Sequence, residues 1–170
     1  MSETTTPAPP GPAGALFLGL IGSAGLGAIA GIDRGAFAVM HDAAVLPACI
    51  GIVTLVLVPA LYIGSSMGGV EIKLQELGRA VLAGLRAAGV ASLGLMAPML
   101  FLLTSTVDTR VSQFLVSAVL LFVGSLGLWA TYRELYGPLP QPAGIATAYC
   151  IWSLVFVGIG AKVAFKYLVI

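Results

Sequence analysis

Four ionisable side chains interrupt an apolar stretch at residues 31–47, "GIDRGAFAVMHDAAVLP": Asp33, Arg34, His41 and Asp42. His41 is the one histidine of the chain. Two carboxylates, a guanidinium and an imidazole could relay a proton inside a membrane or form an ion pair at its surface. Asp33 and His41 are eight residues apart and share a face if one helix runs through both. His41 and Asp42 are adjacent, so on a helix they point about 100° apart and cannot easily chelate one metal ion.

The rest of the chain offers little for catalysis. With one histidine and seven acidic residues, few acid–base or nucleophilic pairs can be assembled. No HExxH, GxSxG or glycine-rich phosphate loop is present. Cys49 and Cys150 lie far apart within apolar runs and lack metal-ligand spacing, which fits two buried small hydrophobes. Haem held across a helical bundle commonly needs more than one histidine. The expectation is a non-enzymatic protein with no cofactor and no metal site.

Composition places the chain in a membrane. Hydrophobic residues make up 59% of the 170 and charged ones 9%, with a mean hydropathy of +1.05. A water-soluble domain carries about 25% charged residues, so polar groups could not cover this one. A formal charge of +1 and no basic cluster argue against nucleic acid. The partners expected are the lipid bilayer and other membrane subunits, or further copies of the chain.

The spans follow from apolar length, since a bilayer core takes about 20 helical residues. Residues 1–13 read as a disordered Pro/Thr-rich tail and 14–170 as one transmembrane domain. Five spans are expected, at about 14–32, 44–64, 87–105, 111–131 and 143–161. The fold class is all-α, a polytopic bundle with helices kinked at Pro59 and Pro98. Residues 70–86, "VEIKLQELGRAVLAGLR", read as an amphipathic segment lying in the interface. Five helices in so short a chain leave little interior for a solvated cavity.

Counting spans also locates the charges. A first span of 19 residues rises about 28 Å, which carries Asp33 and Arg34 to the headgroup boundary. There they read as an ion pair in a wet turn, with Pro47 in the first turn of the next helix. Asp108 with Arg110, and Arg133 with Glu134, read as interfacial pairs in the same way. Lys162 and Lys166 continue the last helix on one face, with Trp152 and Tyr167 as aromatic anchors, and could touch lipid or a subunit. Basic residues divide equally between the two sides of the bundle. The dense loop 70–86 breaks the tie, placing the N-terminus in the cytoplasm of an inner membrane.

Gly19, Ser23, Gly27, Gly31 and Gly35 recur every four residues and predict a helix-packing ridge, toward this chain or another. Gly84, Ala88 and Ser92 form a second ridge.

The stretch 35–64, "GAFAVMHDAAVLPACIGIVTLVLVPALYIG", combines a "GAxxVM" step with prolines twelve residues apart. With "APM" at 97–99 and "FVGIGAKVAF" near the end, it resembles small bacterial membrane proteins of the Yip-like, five-helix type. The resemblance implies a five-span fold with a cytoplasmic N-terminus and no established activity. The Yip hallmark "LYGP" stands here at Leu135–Pro138, after the fourth span rather than before the first, and no GTPase-binding residue is carried over. The function expected is an accessory or scaffold subunit of a larger membrane assembly. The alternative is an oligomeric channel or permease with the 33–42 charges at its mouth.

Overall fold

A computed structural model describes residues 11–67, 72–106, 108–137 and 143–168. Five helices make up the architecture: α1 (Pro12–Ala30), α2 (Ala36–Met67), α3 (Leu74–Ser105), α4 (Thr109–Tyr136) and α5 (Ala143–Leu168). Among the described residues there is no strand. Four of the helices, α1 to α4, are long and apolar enough to cross a membrane, and α5 carries the shorter apolar stretch Tyr149–Ile159. The fold fits a multi-pass membrane protein. Only helices that satisfy their own backbone are tolerated in hydrocarbon as separate spans.

Helix boundaries differ from the sequence expectation where local chemistry outweighs hydropathy. α1 opens two residues early because Pro12 sits in its first turn, where a missing N–H costs nothing. Most of the tail, residues 1–10, lies outside the described residues. The turn after α1 is short: one 3₁₀ turn, Ile32–Arg34, closes at Gly35 with φ +96°, a left-handed conformation natural to glycine. α2 then starts at Ala36, well before residue 44, and runs unbroken through Pro47 and Pro59. Pro47 therefore lies inside the helix rather than at its start. α3 absorbs most of the 70–86 segment into one 32-residue helix through Pro98. At helical rise that is about 48 Å, so its charged first turns extend past a 30 Å hydrocarbon core as part of the span. The backbone N–H of Lys73 donates to the Glu76 carboxylate, 3.3 Å, at its start.

The helices stand in a ring in the order α1, α2, α5, α4, α3. Small residues set the closest crossings. A Cβ at Gly22 would strike the Gly89 backbone, and one at Gly89 would strike Leu18 and Gly19. α1 and α3 thus meet backbone to backbone. On the other side of α3, a Cβ at Gly84 would lie 2.7 Å from the Gly127 carbonyl of α4. Lipid tails are as apolar as leucine, so close van der Waals contact is what holds such crossings.

Two apolar cores lie at opposite ends of the ring. One joins Leu26, Leu46, Met99, Leu103 and Val123. The other joins Leu61, Ile72, Leu77 and Tyr149, flanked by Tyr132, Tyr136 and Trp152.

Gly89→Leu or Gly22→Leu is expected to destabilise the fold by about 3 kcal/mol, the upper end of overpacking costs. Thermal unfolding in detergent checks this as a fall of about 6–12 °C. Gly94→Ala, exposed with open space at its Cβ, should change stability by less than about 0.5 kcal/mol.

Candidate functional site

The charged stretch folds back on itself. The 31–35 turn brings Arg34 over the first turns of α2, where its Nη2 pairs with Oδ2 of Asp42. Oδ1 of the same carboxylate is bonded to Nδ1 of His41 at 3.0 Å. Asp42 is 1% exposed while Arg34 keeps about a third of its side chain in reach of solvent. A buried carboxylate is costly unless paired, and both oxygens here have partners. The pair is therefore Arg34–Asp42 and not Asp33–Arg34. Asp33 is exposed on the turn. His41 and Asp42 belong to α2 rather than to a wet loop, because that helix begins at Ala36.

The α1 ridge packs within this chain. Gly19 faces Leu85 of α3, Gly27 faces the Asp42 carbonyl, and a Cβ at Gly31 would come within 2.6 Å of Ala38. Ser23 is buried and donates to the Gly19 carbonyl at 2.8 Å. Gly35 is the exception: it has open space around it and forms the corner of the turn. The ridge thus ends at Gly31. Gly27 ties it to the ion pair, since α1 and α2 approach closely where Asp42 sits.

Other charged positions resolve differently from the sequence expectation. Asp108 caps α4, accepting from the backbone N–H of Arg110 at 2.8 Å, which is a capping contact rather than an ion pair. Arg133 stands over the Trp129 ring, 5.5 Å from its centroid. Lys162 is exposed; Lys166 and Tyr167 fall within α5, and their side chains lie outside the described residues. Trp152 belongs to an inner aromatic row and is not a surface anchor. Its ring lies 5.5 Å from both Tyr149 and Phe156, and Tyr149 is 5.0 Å from Tyr132. The Tyr149 hydroxyl donates to the Leu128 carbonyl at 2.6 Å, and Ser65 bonds Tyr136 at 3.0 Å. Sequence reasoning missed this row. Its signal was present in the spacing of Tyr132 and Tyr136, and of Tyr149, Trp152 and Phe156, each along one helix face.

Between the two cores lies a cavity of about 300 Å³, reached by all five helices. Ile50, Leu120, Gly124, Trp152 and Phe156 are among the residues on its wall. Its size departs from the expectation of little interior. Its lining is mostly apolar. Among the described residues, no group of three or more metal-ligating side chains comes together.

Comparison with protein-family models, curated proteins and solved structures finds no match to this chain.

Arg34→Met should destabilise by about 2 kcal/mol, below the fully buried range because Arg34 is partly exposed. Combining it with Asp42→Leu should recover most of the loss, since a buried carboxylate without its partner is what costs. Melting temperatures of the single and double variants measure this; equal melting would mean the pair is not coupled.

Proposed function

We propose that this chain is a non-enzymatic, multi-pass protein of a bacterial inner membrane and serves as an accessory or scaffold subunit through helix packing. The supporting observation is a stripe of small residues on the outer face of α2. Ala44, Ala48 and Gly51 are all exposed, at helical spacing along one side. Large exposed side chains, Met40, Ile52 and Leu55, flank them. A side chain added at Gly51 meets nothing within 4 Å among the described residues, so that slot stands open. Small stripes of this kind let a second helix approach closely in lipid.

The docking surface is therefore α2 rather than the α1 ridge, whose glycines are occupied internally. The Yip-like likeness of residues 35–64 falls on this same helix. A cytoplasmic N-terminus follows if Lys73, Arg79 and Arg86 at the start of α3 obey the positive-inside rule. The alternative, a permease subunit with Asp33, Arg34, His41 and Asp42 at a pore mouth, has less support, because Asp42 already engages both of its oxygens within the chain.

Ala48→Phe and Gly51→Phe should remove the slower-migrating native complex from a gentle detergent extract. The isolated subunit should melt within about 3 °C of the wild type. Unchanged migration would overturn the docking reading, and identification of co-purifying subunits in the wild type would name the partner.

A further inference from the structure

We infer that the central cavity binds one hydrocarbon chain of a membrane phospholipid, admitted sideways between α4 and α5. The inference is independent of the docking reading, because it uses the inside of the ring and not the outer face of α2.

The wall chemistry selects hydrocarbon. Five hydroxyls reach the cavity, those of Ser23, Thr54, Ser92, Ser117 and Thr131, and four of them are bonded to their own helix. Ser23 donates to Gly19, Ser92 to Ala88, Ser117 to Gln113 and Thr131 to Gly127, all at 2.8–2.9 Å. A buried water needs two to four polar partners; those four hydroxyls have spent their protons, and Thr54 by itself is too few. The remaining wall is glycine and aliphatic or aromatic side chain. A polar ligand would lose its hydration and recover little.

Size and shape select a chain. Apolar cavities of about 150 Å³ take benzene, and this one holds about 300 Å³. Its wall follows α4 from Val116 to Thr131, which is about 22 Å of helix. A space of that length suits an extended alkyl segment better than a compact ring system.

The way in lies between α4 and α5, the least packed junction of the ring. The two helices are joined near the Tyr149–Leu128 hydrogen bond and the tyrosine rings. Farther along, residues from both sides of the seam line the cavity: Ser117 and Leu121 from α4, Val157 and Ala161 from α5. Phe122 of α4 and Leu154 of α5 are exposed, so these two helices present apolar side chains to the acyl chains of a bilayer. Lys162 follows Ala161, and Arg110 stands in the first turn of α4 at the same end; both are exposed. Cations at the end of an apolar slot complement the phosphate of a phospholipid headgroup.

The test uses the full chain purified in mild detergent, with retained lipid measured by native mass spectrometry and by extraction. About one phospholipid per chain is expected to survive purification. Gly124 lines the cavity and has open space at its Cβ, so Gly124→Phe should fill the cavity and lower retention about tenfold, a shift of about 1.4 kcal/mol. Gly94→Phe, on the outer face of α3 with equal room, should leave retention unchanged. A second measurement needs no variant: wild-type protein in vesicles containing a phospholipid with a photoreactive chain should carry adducts on Leu120 and Phe156. Equal retention in all three proteins, equal loss in both variants, adducts confined to outer residues such as Phe101 and Phe114, or a retained molecule that is not a phospholipid would each overturn the inference.

Discussion

At Gly22 and Gly89 two helix backbones come into direct contact, and the rest of the structure depends on that contact. Water is absent from the bilayer core, so burying apolar side chains against each other gives no advantage over leaving them in lipid. Helices associate there when their surfaces meet more closely than lipid can. α3 does this on two sides, through Gly89 toward α1 and through Gly84 toward α4. It becomes the wall on which α1 and α4 are mounted. Because α3 rises about 48 Å, its two ends reach both apolar cores.

α2 is fixed by a different device. A five-residue connection, closed by Gly35, turns the chain through a hairpin and drops Asp42 beside Gly27. Arg34 then reaches back from the turn to the carboxylate. Breaking the pair would strand a buried charge nearly two turns into α2. The glycine and the ion pair therefore act at the same point, one allowing the approach and the other holding it. α5 rests mainly on α2 and meets α4 through the tyrosine row. The ring closes firmly at that end and loosely at the other, which leaves the elongated space in its middle.

The division of glycines between the inside and outside of the ring has consequences for function. Those of α1 are occupied by neighbours in the same chain. Gly51, with Ala44 and Ala48, lies on an outer face that none of the described residues covers. Identical residue types at similar spacing thus meet two fates, packing within the chain on α1 and an exposed face on α2. The distinction rests on which face each helix turns toward the ring. Spacing within one helix does not carry that information.

Much of this protein was legible in the amino-acid sequence. Its helical class, membrane-solvated surface and five apolar segments follow from hydropathy and length, because hydrocarbon tolerates few other backbone arrangements. The small-residue ridge on α1 was legible too, as was the place of Asp33 and Arg34 in the turn after the first helix. Only the tertiary structure decided that Arg34 pairs with Asp42, since helix α2 begins before the charges that hydropathy had assigned to a loop. It alone paired Gly22 with Gly89, two positions off the visible repeats and distant in sequence. It alone joined Tyr132 and Tyr149 across two helices beside a cavity lined by all five. Periodicity reports the environment of each helix separately. The partner of a face, and the space left between faces, belong to the packing of several helices at once.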